Sequence, residues 1–158
     1  MGIVLSRIDN RLLHGIVASQ WAPASGAVRL MVIDDEVANN AMAKSSMKLA
    51  KPAGMALSII TLETALTNFA NNKYEGQSIF LIVKDPITLV KLQESGVKIP
   101  KLNIGGTAHR DNAKILSKRA CATEEEINNY KSLAINGTNI TIQFLLADQE
   151  VRFDSLVN

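Results

Sequence analysis

Short apolar runs alternate with longer amphipathic stretches along the chain. Five runs have the length of strands and are predicted to form a sheet, namely residues 3–8, 28–33, 55–60, 78–83 and 101–104. Several of them are apolar on both faces, which is typical of a parallel sheet covered by helices on both sides. The stretches between the runs have helical periodicity and predict helices over residues 15–21, 36–50, 62–71 and 86–95.

Signals for helix and strand ends agree with this assignment. Asp85 is followed by Pro86, a pattern that favours a helix start because proline suits the first helical position. Residues 123–126, Thr-Glu-Glu-Glu, predict a capping box that opens a further helix running to about Leu133. Residues 139–146 are rich in strand-forming side chains and predict a late strand, and residues 117–122 are a second candidate.

The length of the chain sets its domain organisation. With 158 residues, 47% of them hydrophobic, it can bury one real core but has too little material for two domains of ordinary size. No linker, repeat or low-complexity segment interrupts the pattern. We therefore expect residues 1–158 to form an α/β fold, a single three-layer domain with a mostly parallel central sheet and helices on both faces.

Charge and composition exclude several classes of function. The 17 basic and 15 acidic residues are scattered and only 4% of residues are aromatic, which argues against a nucleic-acid partner. Cys121 is the single cysteine, so no intrachain disulfide can form and a reducing compartment is favoured. No apolar run approaches the roughly 18–20 residues of a membrane span, and the N-terminus lacks the features of a signal peptide. These observations predict a cytoplasmic protein.

Polar side chains are concentrated directly after the first predicted strand. Within eight residues the chain carries Arg7, Asp9, Asn10, Arg11 and His14, followed by an amphipathic helix. Ligands of open α/β sheets gather at the carboxyl ends of the strands, where such loops lead into helices. This loop is therefore the first candidate for a functional site.

Each part of the loop suits a phosphorylated histidine. The neutral imidazole of His14 can act as a nucleophile near pH 7, and Arg11 can offer a planar, bidentate guanidinium to a phosphoryl group. The helix-start amides around Gly15 add an anion site. Asp9 can orient either Arg11 or the imidazole, and the residues alone leave that choice open. They also allow a plain solvated loop in which His14 caps the helix.

The loop and three later segments resemble one family. The run Arg7–Gly15, followed by Trp21, is similar to the N-terminal signature of IIB components of the mannose/fructose/sorbose class, which includes N-acetylgalactosamine systems, of the bacterial phosphoenolpyruvate-dependent sugar phosphotransferase system. The later segments follow in the family order and are residues 32–38, residues 102–106 with Arg110, and residues 123–127. The resemblance covers nearly the whole chain, from about residue 3 to residue 146.

The resemblance implies a concrete function. Such subunits accept a phosphoryl group from a histidine of a phosphorylated IIA protein or domain, hold it on Nδ1 of the loop histidine, here His14, and pass it to the sugar in the IIC/IID membrane complex. It implies no cofactor and no metal, and a cytoplasmic protein that associates peripherally with the membrane complex. The transported sugar cannot be read from the chain. A homodimer is a further expectation, because small α/β domains with much apolar surface often pair.

The resemblance also assigns site residues. The catalytic residues are predicted to be His14, Arg11 and Asp9, with Gly15 and Asn10 binding the phosphoryl group. Asn10 stands where the family usually has an acidic residue, which weakens any role as a base and leaves Asp9 as the only carboxylate of the loop.

Other polar residues have alternative interpretations. Asp34, Asp35 and Glu36 follow the second strand and could bind Mg²⁺, but a helix cap with acidic first-turn residues is favoured. Whether further residues line the site is left open for Asp35, Gly105, Gly106 and His109.

Two other functions also place a phosphorylated residue after a strand, but each needs residues that this sequence lacks or orders differently. A histidine phosphatase or mutase needs an arginine directly before the histidine and a second histidine, whereas here only His109 remains. A receiver-like module would use Asp34 and Asp35 as its acidic pocket, but it needs a later strand-end aspartate with a lysine beyond, which Lys84 and Asp85 offer only in reversed order.

Overall fold

The computed structural model describes residues 2–157 and contains a seven-stranded sheet of order β3-β2-β4-β1-β5-β8-β9. All neighbouring strands are parallel except β8 and β9, and β6 and β7 form a separate antiparallel pair. The strands are β1 (Gly2–Asp9), β2 (Arg29–Ile33), β3 (Ala56–Ile60), β4 (Ser78–Val83), β5 (Lys101–Gly106), β6 (Lys114–Ile115), β7 (Cys121–Ala122), β8 (Asn139–Ile142) and β9 (Val151–Arg152).

Helices connect these strands and cover both faces of the sheet. They are a π-helical turn (Val17–Trp21), α1 (Ala22–Ser25), α2 (Asp35–Ala38), α3 (Ala41–Ala50), α4 (Leu62–Ala70), α5 (Pro86–Glu94), α6 (Glu124–Ile135) and α7 (Asp154–Val157). Side chains of α4 to α7 pack on one face of the sheet, and those of the π-helical turn and α1 to α3 pack on the other. This confirms the predicted α/β class with a mostly parallel sheet.

The central strand β4 shows why apolar runs marked the sheet. Ile79, Leu81 and Val83 belong to the core on one face, whereas Phe80 and Ile82 belong to the core on the other. All five side chains are fully buried. A strand with helices on both sides reads as a continuous apolar run instead of an alternating one.

Several predicted elements differ in extent from the structure. The helix predicted over residues 36–50 is two helices, because Asn40 leaves helical geometry and its Oδ1 caps α3 by accepting from the Ala43 amide at 3.0 Å. The late strand ends at Ile142, after which the Gln143 amide group closes a turn by donating to carbonyls of the following segment. Of the candidate strand over residues 117–122, only β7 is formed.

The predicted helix starts at residues 85 and 123 are confirmed. Thr123 and Glu126 form the reciprocal capping box, with the Glu126 amide donating to Thr123 Oγ1 at 3.2 Å and the Thr123 amide to Glu126 Oε1 at 3.0 Å. Pro86 occupies the first turn of α5, although the side chain of Asp85 makes no capping hydrogen bond.

The order of the strands creates a crevice between β1 and β5. The connection that follows β1 covers one face of the sheet on its way to β2, whereas α6, which follows β5, covers the opposite face on its way to β8. The two connections diverge at the carboxyl ends of these neighbouring strands, which is where open α/β sheets bind ligands. The loop of His14 begins at this edge.

Candidate functional site

The loop after β1 is fixed to the body of the protein by its apolar residues. Leu12 and Leu13 are buried in the core, and the Leu12 amide donates to the Asp9 carbonyl at 3.0 Å. Leu12 has a φ of 59°, a left-handed conformation that non-glycine residues seldom adopt and that lets the chain turn sharply. Burial of the leucine side chain holds this turn, so His14 is presented from a fixed backbone.

Asp9 binds the imidazole of His14 directly. Oδ2 of Asp9 lies 2.9 Å from Nε2 of His14, and the aspartate is almost completely buried. A carboxylate only accepts hydrogen bonds, so Nε2 carries the proton in this arrangement and Nδ1 keeps its lone pair. Within the described residues no group hydrogen-bonds Nδ1. The sequence left open whether Asp9 orients the imidazole or Arg11, and the contact resolves this in favour of the imidazole.

A buried arginine holds the other side of the same carboxylate. The side chain of Arg7 is fully buried, and its Nε and Nη2 atoms each lie 3.2 Å from Asp9 Oδ2. Burial lowers the pKa of the Arg7 guanidinium from its ordinary value, and the charge of Asp9 opposes that effect. The result is a chain of contacts in which Arg7 neutralises Asp9 and Asp9 orients His14.

Arg7 in turn is held by parts of the chain distant in sequence. Its Nη1 donates to Asn103 Oδ1 at 2.6 Å and to the Gln143 carbonyl at 3.3 Å, and its Nη2 donates to the Phe144 carbonyl at 3.2 Å. The guanidinium carbon lies 4.7 Å from the centroid of the Trp21 ring, a cation–π distance. Three segments outside β1 therefore fix one guanidinium.

Two glycines at the end of β5 make room for this arrangement. A Cβ atom on Gly105 would overlap the guanidinium of Arg7, so only glycine fits there. At Gly106 a Cβ would meet ordinary contacts, among them Asn10 Oδ1 at 3.7 Å. Both glycines belong to the strand and not to a tight turn, and both adjoin the candidate site.

The remaining predicted site residues lie on the loop with different kinds of contact. The backbone amide of Arg11 donates to Asp9 Oδ1 at 3.0 Å, while the Arg11 side chain is exposed. Asn10 is also exposed and is tied to β5 by its amide, which donates to the Gly106 carbonyl at 3.0 Å. Gly15 is exposed where the helical turn begins, one residue after His14.

The acidic residues after β2 have a structural role. Asp34 caps α2 by accepting from the Val37 amide at 3.0 Å, as the favoured interpretation predicted, and Oδ1 of Asp35 accepts from the Leu62 amide at 2.9 Å. Lys84 lies 3.8 Å from Asp34. Between residues 2 and 157 no group of three or more His, Cys, Asp and Glu side chains is placed to hold a metal ion.

No hydrogen bond or ion pair among the described residues joins the side chain of His109 to the loop of His14. Its imidazole is 79% exposed, and Nε2 lies 3.2 Å from Oδ1 of the exposed Asp111. Sequence reasoning gave Arg7 no role of its own, although a charged residue inside a run of strand residues was a visible signal. A charge buried in a strand needs partners, and Asp9, two residues later and therefore on the same face of the strand, was one candidate.

A second polar cluster joins the carboxyl end of β4 to the start of α6. Arg110 makes a two-pronged ion pair with Glu126, at 2.8 and 2.9 Å. Partial burial and the charge of Glu126 raise the pKa of Asp85. Burial acts to raise the pKa of Glu126 as well, but hydrogen bonds from Arg110 and the Thr123 amide outweigh it and lower that pKa overall.

Comparison with known proteins places this loop and fold in one family. Residues 3–158 match the family model described as the sorbose subfamily IIB component of the PTS system. The chain belongs to this family. The resemblance seen in the sequence is thereby confirmed.

Individual relatives of this IIB chain span its whole length. It is 30% identical over 158 residues to the sorbose-specific EIIB component of Klebsiella pneumoniae, covering 100% of the chain and 96% of the relative. It is 29% identical over 158 residues to the mannose-specific EIIAB component of Escherichia coli K12, where it covers 100% of the chain but only 49% of that longer protein. The crystal structure of the IIBSor domain of the Klebsiella pneumoniae sorbose permease superposes with a TM-score of 0.89 at 30% identity, covering 96% and 93% of the two chains.

One physical property bears on the membrane. No helix within residues 2–157 of this IIB chain is both long and apolar enough to cross a bilayer.

Proposed function

We propose that this IIB chain carries a phosphoryl group on Nδ1 of His14, acting as one functional unit over residues 1–158. The group comes from a phosphorylated IIA protein or domain and passes to a sugar bound by the IIC/IID membrane subunits. The contact between Asp9 Oδ2 and His14 Nε2 at 2.9 Å carries the proposal, because it favours the tautomer with the ring proton on Nε2 and leaves Nδ1 as the nucleophile.

The first transfer step follows from this tautomer. Nδ1 of His14 attacks the phosphorus atom, the bond from phosphorus to the donor imidazole breaks, and its electron pair returns to the donor ring. The ring of His14 gains positive charge while its Nε2–H stays bound to the buried Asp9 carboxylate, which stabilises the charged product. No proton needs to move, so the step depends on in-line positioning and on charge stabilisation.

The second step reverses the bond changes at His14. A hydroxyl oxygen of the sugar attacks phosphorus, the Nδ1–P bond breaks, and the hydroxyl proton leaves to a base at the sugar site. The exposed guanidinium of Arg11 and the helix-start amides at Gly15 supply positive potential to the phosphoryl oxygens in both steps. The side chain of Asn10 adds a neutral donor in place of a carboxylate, which would repel the group.

The relatives support the partners and leave the sugar open. The mannose-specific EIIAB relative is named for both IIA and IIB, and this chain covers 49% of it. A single protein that contains both favours direct transfer from a IIA part to a IIB part. The relatives named for sorbose and mannose are almost equally similar to this chain, at 30% and 29% identity, so the names favour neither sugar. Because its proposed acceptor is a sugar bound by membrane subunits, this IIB chain would act in the cytoplasm, at the membrane surface.

The chain offers a matched control for testing this proposal. Its two histidines allow His14→Gln to be compared with His109→Gln, since His109 is exposed and bound only to Asp111. Each variant is incubated with labelled phosphoenolpyruvate, the general transfer proteins and the IIA partner. The IIB chain is then separated, and the acid-labile, base-stable phosphate bound to it is counted. Label should be lost only in His14→Gln. Retained label in that variant contradicts the proposal.

A further inference from the structure

Arg119 lies at the crevice between β1 and β5. It precedes β7 in the long connection after β5, and its carbonyl accepts a hydrogen bond from the Thr107 amide at 2.9 Å. Because Thr107 directly follows β5, this bond ties Arg119 to the carboxyl end of that strand. The His14 loop forms the opposite side of the crevice.

Three segments meet above Gly106. A Cβ on that glycine would lie 3.6 Å from Phe144 Cε1, 3.7 Å from the Arg119 carbonyl and 3.7 Å from Asn10 Oδ1. The segments are the loop that carries His14, the connection that carries Arg119, and the turn after β8. Arg119 is therefore a spatial neighbour of the proposed phosphorylation loop, although more than a hundred residues separate them in sequence.

The ring of Phe144 lies between the guanidinium groups of Arg119 and Arg7, the arginine that pairs with Asp9. The guanidinium carbon of Arg119 lies 4.5 Å from the ring centroid, and that of Arg7 lies 5.8 Å from the same centroid. The two cations differ in one respect. Arg7 is paired with Asp9, whereas Arg119 is exposed and forms no ion pair with any carboxylate in residues 2–157.

A guanidinium that is positioned by an aromatic ring but lacks a counter-ion is suited to a phosphoryl group, whose oxygens it can bind in bidentate fashion. We propose that Arg119 is a second phosphoryl-binding residue, which contacts the group on His14 from the β5 side of the crevice, with Phe144 as its positioning residue. This inference rests on the proposed function. Arg119 forms and breaks no covalent bond; it donates N–H groups to the phosphoryl oxygens, whose charge is spread most widely in the transition state.

The adjacent Lys118 provides a matched control. It is exposed, carries the same charge and belongs to the same segment. Arg119→Gln should lower the rate of phosphoryl transfer from phosphorylated IIA roughly 10- to 100-fold, the usual effect of losing a charge-assisted bidentate contact, whereas Lys118→Gln should leave it within about twofold. Arg119→Lys should fall between them because it keeps the charge without the fork.

Phe144→Leu tests the positioning role. It should lower the rate in the wild-type background and have no further effect in Arg119→Gln. A merely structural role for the ring would give the same loss in both backgrounds, and that result would overturn this part of the proposal.

A second donor separates this inference from the proposed function. Phosphoramidate transfers its phosphoryl group to imidazole as its P–N bond breaks and ammonia leaves, so it needs no IIA protein. After this treatment the ³¹P resonance and the hydrolysis rate of phosphorylated His14 should change in Arg119→Gln and not in Lys118→Gln.

If IIA labels His14 but the two variants behave alike toward both donors, only this inference is wrong. If Arg119→Gln slows transfer from phosphorylated IIA but leaves the phosphoramidate-labelled protein unchanged, Arg119 contacts the partner and not the phosphoryl group. That result also overturns the inference. If neither donor labels His14 in the wild type, both proposals fail.

Discussion

Oδ2 of Asp9 lies 2.9 Å from His14 Nε2 and 3.2 Å from Arg7 Nη2, so one buried oxygen serves both an imidazole and a guanidinium. The arginine pairs with the carboxylate, and the carboxylate in turn accepts the Nε2 proton and so fixes the tautomer of the histidine. Changing either neighbour of that oxygen should therefore alter the proposed phosphoryl transfer and the stability of the fold to different extents, and the two effects can be measured separately.

Asp9→Asn should strongly slow phosphorylation of His14 while largely keeping the geometry of the site. An asparagine amide can donate to Nε2, which favours the tautomer whose proton sits on Nδ1 and removes the nucleophile. We expect single-turnover labelling from phosphorylated IIA to slow roughly 10²- to 10⁴-fold, by analogy with other enzymes in which an aspartate fixes the tautomer of a catalytic histidine. Asp111→Asn, beside the other histidine, should label at the wild-type rate. An unchanged rate in Asp9→Asn would show that the tautomer is set by another group.

Arg7→Met should unfold the protein at much lower denaturant concentration. It leaves the Asp9 carboxylate buried without a counter-ion, a change that costs about 3–5 kcal/mol in the free energy of unfolding. Arg29→Met is the control, since Arg29 is only partly buried and hydrogen-bonds the neutral residues Gln77 and Ser58. In urea titrations the double variant Arg7→Met/Asp9→Asn should lose less than the sum of its single changes. Strict additivity would mean that the two side chains are not energetically coupled.

The fold could be predicted from the sequence much further than the site. The apolar runs of β2 and β4 and the capping box at Thr123 depend on neighbours within a few residues, so local pattern was sufficient. The role of Arg7 depends on Asn103 and on the carbonyl of Phe144, which are 96 and 137 positions away. No local pattern reports such contacts.

The break between α2 and α3 had a local signal that periodicity concealed. Asn39 and Asn40 favour helix ends, yet the apolar spacing continues across them, and the pattern over residues 36–50 indicated one helix. The partner of Asp9 was undecidable for a different reason. Both Arg11 and His14 are close to it in sequence, and only the left-handed turn at Leu12 directs the imidazole, and not the guanidinium, toward the carboxylate.

Gly105→Ala should be far more harmful than Gly106→Ala. The added methyl group at residue 105 overlaps the Arg7 guanidinium, which cannot move away because carbonyls and Asn103 hold it. Overpacking of this kind costs about 1–3 kcal/mol, and the displaced arginine should also slow labelling of His14. At residue 106 the nearest atom is 3.6 Å from the new methyl group, so urea stability should be nearly unchanged. Equal stability of the two variants would contradict the close packing described for Gly105.

Asp85→Asn should change the pH dependence of stability. The pKa of Asp85 is raised above its ordinary value of 3.8, so the folded state binds that proton more tightly than the unfolded state. Its contribution to stability is present below pH 3.8 and is lost as the pH rises through the raised pKa. The asparagine variant should therefore be more stable than wild type at pH 7, by less than about 1 kcal/mol because residue 85 is exposed, and should have no advantage at pH 3.

The control for that measurement is Asp111→Asn, which makes the same chemical change at a fully exposed side chain. Thermal or urea unfolding at several pH values provides the comparison. An advantage of Asp85→Asn that persists unchanged at pH 3 would mean that ionisation of Asp85 is not its cause.

The π-helical turn Val17–Trp21 makes the length of this segment a constraint. A π-helical turn holds one residue more than an α-helical turn, and each helical residue advances the chain by about 100° around the axis. Winding the same number of residues as an α-helix would rotate Trp21 away from Arg7 and from the Phe144 carbonyl, to which its Nε1 donates at 3.0 Å. The five residues of this turn therefore place Trp21 against Arg7 only while they keep π-helical winding, so the length of the segment and its winding must match.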